Sequence, residues 1–282
     1  METAQWTACP AAPRTKMPDP VHDQNAARME AQRAVPFAPA ARRTLCVFGA
    51  DVELALLPHR ASRPDRPGAR PAFGNDRGMA IVEAEASWRD NGLALTGNKF
   101  PFARAQTVLW SERPLREPDE AFLEAALSWT DAIGGSLLVN SIGAAASIPR
   151  AHAHHTDETM PFLGQLNEEP FEADWLPRID GVTFAKKAAP FWLLCVRGAA
   201  PARAKAIAAL QMRRMTAAVN LVAMRGETFV YPRSCETPAP HFPYPLGAAE
   251  IWGRWCYVEE RAFAVATSAD LERALIAAGC AI

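Results

Sequence analysis

No uncharged apolar run in this chain approaches the roughly 18 residues that a membrane-spanning helix requires. The run Phe191 to Val196 holds about six. The sequence instead offers short runs of β-type residues closed by Gly, Pro or Asn, and few segments with helical period. Such a chain folds as antiparallel strands covered by a small number of helices, an α+β arrangement, and spanning helices are excluded.

Within 282 residues there is room for two domains of roughly 150 or for one large mixed domain. Hydrophobic residues at 49% and charged residues at 22% supply a sizeable core under an ordinary surface. The formal charge of −1 gives no overall field to recruit nucleic acid or an anionic membrane, so any anionic ligand must meet a local site. The cysteines at 9, 46, 195, 235, 256 and 280 form no C-x-x-C pair, and the amino terminus has no apolar signal core. Reduced thiols and a cytoplasmic location are the expectation.

Met1 to Arg43 holds 11 Ala and 6 Pro without a sustained period and reads as a disordered or strap-like tail before a folded body at 44–282. Strand-type residues begin at Leu45 to Leu57, followed by an Arg/Pro/Gly loop through Gly78. A strand pair is expected at Met79–Ala84 and Leu93–Thr96, and a further strand at Gln106–Trp110. The clearest helix has Pro118 in its first turn, Phe122, Ala126, Trp129 and Ile133 on one face, and Gly134-Gly135 at its end. Strand Ser136–Asn140 then leads into a small-residue loop, Ser141–Ser147. Downstream, strands are expected at Pro190–Val196, Val219–Ala223 and Thr228–Pro232, and a helix at Ala202–Met215 with Arg213-Arg214 on its solvated face. Thr267 or Ser268 caps a last helix ending near Gly279. Glu168, Glu169, Glu172 and Asp174 read as a solvated loop, and no internal repeat is visible at the residue level.

Three of the six histidines fall within four residues, in Arg150-Ala-His152-Ala-His154-His155. If this segment is extended, the period of two places Arg150, His152 and His154 on one face and the alanines on the other. Two imidazoles and a guanidinium on an open face suit an anion: arginine offers a planar donor fork, and neutral histidine can attack phosphorus or shuttle a proton. Backbone N–H groups of the preceding loop can approach phosphate oxygens closely. The plainer reading makes the three histidines satisfied surface or core residues near a turn.

These residues resemble the histidine-triad superfamily, in particular the branch holding galactose-1-phosphate uridylyltransferase, diadenosine tetraphosphate phosphorylase and GDP-sugar phosphorylases. Its pattern of Asn, small-residue loop, Ser-x-Pro and H-x-H-x-Q/H is similar to Asn140, Gly143-Ala-Ala-Ala, Ser147-Ile-Pro149 and Arg150-Ala-His152-Ala-His154. Leu95-Thr-Gly-Asn-Lys-Phe-Pro-Phe102 and the Val219 to Gly247 region extend the resemblance over roughly residues 70 to 282. It implies a triad-type antiparallel sheet with flanking helices and a carboxy-terminal strand–helix extension. It further implies His152 as nucleophile toward the α-phosphorus of a nucleotide or nucleotide-sugar, with transfer, phosphorolysis or hydrolysis to follow. His154 takes the third motif position, while Arg150, Lys99, Ser147 and loop amides serve the phosphate oxygens. Asn140 belongs to the motif, and Asn98 holds the loop or a ribose. No cofactor or metal is implied, and a homodimer is plausible from the family.

Arg150 stands where the family has its first histidine, which alters the hydrogen bonding that orients the strand. A second register, His152-x-His154-x-Thr156, makes His154 the nucleophile and loses the Ser-x-Pro spacing. Two rival readings stay open. His152, His154 and Glu158 have the H-x-H-x-x-x-E spacing of half a cupin metal site, although its second half is missing. Loss of the first histidine also suits a non-catalytic nucleotide-binding protein. No P-loop, G-x-G-x-x-G or G-x-S-x-G motif occurs.

Overall fold

A computed structural model of the protein describes residues 37–62, 77–213 and 218–281. Most of the expected tail, the Arg/Pro/Gly loop at 63–76 and the end of the helix expected to reach Met215 lie outside the described residues. The chain enters through a hairpin, β1 (Ala41–Val47) and β2 (Ala50–Leu56). Its two-residue turn puts Phe48 and Gly49 at positive φ, the twist that antiparallel neighbours require. Strand pairing therefore starts at Ala41, inside the segment expected to be tail.

A 3-10 turn at Pro58–Ser62 precedes α1 (Arg77–Glu85), which occupies the place of the strand expected at Met79–Ala84. The β-branched Ile81 and Val82 suggest a strand, but Gly78 and Val82, four apart, are the buried positions. Ile81 and Val82 pack on Ala94, Val108 and Trp110, so the tertiary contact selects the helical period.

Next come β3 (Trp88–Asp90), β4 (Leu93–Gly97), β5 (Thr107–Ser111), α2 (Glu120–Ile133), β6 (Ser136–Asn140) and β7 (His152–Thr156). The α2 cap is Asp119, whose carboxylate accepts the Phe122 amide at 2.9 Å, so Pro118 lies just outside the helix. After the short α3 (Phe162–Gln165) follow β8 (Glu168–Pro170), β9 (Thr183–Lys187), β10 (Leu194–Arg197), α4 (Ala200–Met212), β11 (Val219–Met224) and β12 (Glu227–Pro232). The expected acidic loop is partly strand, because Glu168 bridges Lys187 at 2.8 Å and Arg197 at 2.6 Å. The chain closes with α5 (Ala248–Trp252), β13 (Arg254–Tyr257), α6 (Glu260–Val265) and α7 (Ser268–Ala278), the last capped by Thr267.

Ten strands form one antiparallel sheet in the order β3-β4-β5-β7-β6-β11-β12-β10-β9-β8. The order contains a repeat that the residues do not display. Each half runs three strands, a helix and two strands, and in each the last strand slots in beside the third. The halves meet at β6 and β11, where Asn140 stands opposite Asn220. The helices α2 and α4 begin eighty residues apart, as the two asparagines are.

Side-chain alternation gives the sheet two unlike faces. On one, Leu95, Leu109, Ala153, Leu137, Leu221 and Val230 pack beneath α2 and α4. On the other, register aligns Trp110 with His152 and aligns Val108 with His154, Leu138, Val222 and Phe229. Over the second half this face is covered by the three-stranded sheet β1-β2-β13 and by the carboxy-terminal helices, burying Phe229, Tyr231, Trp252, Trp255 and Leu275 in one core. Over the first half it borders a cavity. No described helix is long and apolar enough to cross a membrane.

Candidate active site

The period of two holds through the histidines. His152 and His154 face the cavity, whereas His155 faces α2, its ring edge-on to Trp129 at 4.4 Å and its Nε2 bonded to the Gly134 carbonyl at 2.8 Å. The cavity measures about 780 Å³, the size of a site for a small organic ligand. Asn98, Lys99, Asn140, Ser147, His152 and His154, distant in sequence, all line it.

His152 is fixed in two ways. Its Nδ1 lies 2.7 Å from the Arg150 carbonyl, and a carbonyl can only accept, so Nδ1 carries a proton and in the neutral ring the lone pair sits on Nε2. Its ring stacks on Trp110, with centroids 4.9 Å apart and planes inclined by 29°. Trp110 is anchored in turn by its indole N–H, which donates to Thr96 Oγ1 at 2.9 Å. The His154 ring stands 5.5 Å from that of His152 and meets the edge of Phe102 at 5.6 Å.

Arg150 departs from the expected arrangement. Its guanidinium donates to the carbonyls of Ser111 at 2.9 Å and Glu112 at 3.0 Å, and its stem lies against Gly78, where an added Cβ would clash at 2.7 Å. The side chain is 3% exposed and does not line the cavity. The cause is positional: β7 begins only at His152, so Arg150 belongs to the incoming bend and satisfies carbonyls at the end of β5. What it presents to His152 is its carbonyl.

The loop amides are also engaged. Ile142 N donates to Glu117 at 3.0 Å, Ala145 N to Glu236 at 2.9 Å, and Ala144 N and Ala146 N to the Ser141 carbonyl. Burial raises the Glu117 carboxyl above its ordinary range, partly offset by the Ile142 amide. Asn140 uses its carboxamide oxygen to hold Asn220 Nδ2 and Ala248 N, each at 2.8 Å, which caps α5. Asn98 Oδ1 accepts the Phe100 amide at 2.9 Å and so shapes its own turn. Lys99 pairs with Glu85 at 2.5 Å at the cavity edge.

Sequence reasoning missed Arg60, Glu250 and Trp110. Arg60 belongs to the 3-10 turn, donates to the Phe100 carbonyl and lies 5.3 Å over the Phe102 ring. It braces the Asn98–Phe102 loop from a segment with no local sequence link to it. Glu250 is 5% exposed and accepts the Gly247 amide at 2.8 Å. Burial pushes its carboxyl up to about 7, the Gly247 amide pulling the other way. The strand register that seats Trp110 beside His152 is a tertiary fact with no local signal.

The half-cupin reading is not met. Glu158 accepts from Arg104 N and Nε at 3.0 Å each and from Arg254 at 2.6 Å. Burial opposes its charge, but the Arg254 and Arg104 bonds outweigh that and hold the carboxyl below its usual range. Among the described residues no three His, Cys, Asp or Glu side chains group as a metal site.

No family model matches the sequence, and no curated protein matches it. The fold is that of yeast Ap4A phosphorylase Apa2. Its complex with Ap4A aligns with a TM-score of 0.67 at 15% identity, covering 93% of this chain and 96% of the other. Its complex with AMP aligns at 0.66 and 14%, covering 93% and 95%. An ADP-glucose phosphorylase from Arabidopsis thaliana, with bound ADP-glucose, overlaps at only 0.40 and 10% identity over 84% and 99%.

Proposed function

We propose that this chain, whose α+β fold is that of a nucleotide phosphorylase, is a nucleotidyltransferase or phosphorylase acting at the α-phosphate of a nucleotide-sugar or dinucleoside polyphosphate. The observation that carries the reading is the state of His152: Nδ1 committed to a backbone carbonyl, the ring plane held by Trp110, and the side chain on the wall of a ligand-sized cavity. The likeness to a protein solved with Ap4A and with AMP supports a nucleotide as the occupant.

In this mechanism Nε2 attacks the α-phosphorus in line. The P–N bond forms as the bond to the leaving oxygen breaks, and the leaving group departs with that electron pair. Phosphate, a sugar phosphate or water then attacks the same phosphorus, and the P–N electrons return to Nε2. In this reading His154 moves the proton between leaving and entering oxygens. In the same reading Lys99, Ser147 and the Asn140 amide bind phosphate or sugar oxygens, and Asn98 shapes the loop that carries Lys99. Arg150 contributes its carbonyl, which sets the His152 tautomer. Both halves of the sheet come from one chain, so the reading does not require the homodimer that the resemblance makes plausible. The cytoplasm remains the expected location.

The test is intact-protein mass after incubation with a panel of nucleoside-diphosphate sugars and dinucleoside polyphosphates, quenched at mildly alkaline pH. A nucleotidyl adduct on the wild type that is absent from His152→Ala is the expected result, with turnover lowered roughly a thousandfold or more and nucleotide binding kept. No adduct and no nucleotide consumed would sink the reading.

A further inference from the structure

The Ser141–Ser147 loop puts Ala145 and Ser147 on the cavity wall and then feeds the bend whose Arg150 carbonyl holds His152. Ser141 N pairs with the Val219 carbonyl where the loop leaves β6, and three of the four contacts of the Ile142, Ala144, Ala145 and Ala146 amides stay within the first half of the chain. The fourth, Ala145 N to Glu236 at 2.9 Å, comes from the second half, which contributes no histidine to the cavity.

Glu236 is held by a built network. Arg233, 4% exposed, donates Nη2 to the carbonyls of Cys235 at 2.7 Å and of Glu236 itself at 3.1 Å. Its Nη1 donates to the Leu246 carbonyl and, at 2.5 Å, to Asn220 Oδ1. The Asn220 amide in turn donates to Asn140 Oδ1 and to the Ala144 carbonyl, each at 2.8 Å. A continuous chain of polar contacts therefore crosses the β6–β11 junction and grips the loop at two successive residues.

We infer that Glu236 is a positioning residue: anchored through Arg233 and Asn220, its carboxylate fixes the Ser141–Ser147 loop so that Ser147 and the Arg150 carbonyl stay in register with His152. The inference rests on the function proposed above. It gives the second half a task in the chemistry of the first. A loop released by a fraction of an ångström would leave the cavity able to bind but poorly aligned to react.

The experiment compares wild type, Glu236→Ala and Glu236→Gln, the last keeping an acceptor oxygen. Amide hydrogen exchange across residues 141–147, without nucleotide, reads the clamp directly. Single-turnover adduct formation, with the substrate dependence of its rate, reads the alignment. Glu236→Ala should speed exchange at least about tenfold. It should slow saturated adduct formation roughly 10- to 100-fold and change half-saturation less than about threefold, with Glu236→Gln recovering most of both. Unchanged exchange in Glu236→Ala overturns the inference, as does fast exchange with an unchanged rate. Equal loss in both variants together with a lowered melting temperature would reduce Glu236 to a structural residue. If the wild type forms no adduct, the functional reading falls while exchange still decides the clamp.

Discussion

The two halves of the ten-stranded sheet share one topology and differ in what lies on a single face. In the first half β7 presents His152 and His154 beside Trp110 to a cavity; in the second β12 presents Phe229 and Tyr231 to a packed core. The backbone pairing is the same, so the difference lies in what covers each strand. The β1-β2-β13 sheet, α6 and α7 lie over the second half, where apolar and aromatic side chains fill the space. A hydrophobic strand under a cover becomes core, and a polar strand left uncovered becomes a wall of a site.

Several changes sharpen or break this contrast. Phe229→Ala in the filled half should cost about 3–5 kcal/mol of stability, read from denaturant unfolding, because Phe229 is fully buried and its loss leaves a void. Adduct formation per folded molecule should be unchanged, and His152→Ala should do the reverse; if Phe229→Ala slows chemistry in folded protein, the halves are not separable.

Glu250 lies between the two regions. With its folded carboxyl near 7, against roughly 4.5 in the unfolded chain, the native state binds more protons between these values, so stability falls as pH rises across that window. Glu250→Gln mimics the protonated form and should remove a pH-dependent loss of roughly 3 kcal/mol between pH 4.5 and 8. Parallel pH–stability curves for the two proteins would refute the assignment.

The smallest effect concerns Tyr231, whose hydroxyl donates to the Leu275 carbonyl at 2.5 Å. Tyr231→Phe leaves that carbonyl with the Gly279 amide, 3.0 Å away, as its remaining donor and should cost about 1 kcal/mol with no change in adduct rate. A rate change here would show that α7 communicates with the cavity.

Much of this was legible in the sequence, for reasons that differ by element. Helix α2 and its glycine stop, strand β6 and the Thr267-capped α7 follow from local periodicity and capping, which need no partner. Segment Met79–Ala84 was misread because its β-branched pair is equally suited to a helix lying on β4, and only the sheet beneath decides. The repeat stayed hidden because strand pairing is made by backbone atoms, which leaves side chains free to diverge from histidine to phenylalanine and tyrosine.

By itself the sequence determined the alternation through the histidines, since a strand of period two must send His152 and His154 one way and His155 the other. Of the seven candidate residues, His152 and His154 stand out by their own chemistry, and Ser147, Asn98, Lys99 and Asn140 are implied only by the resemblance. That they line one cavity was decided by tertiary structure, as was the turning of Arg150 toward the Ser111 and Glu112 carbonyls. The physical reason is that a buried guanidinium goes where unsatisfied carbonyls converge, and that convergence exists only once β5 and β7 are paired.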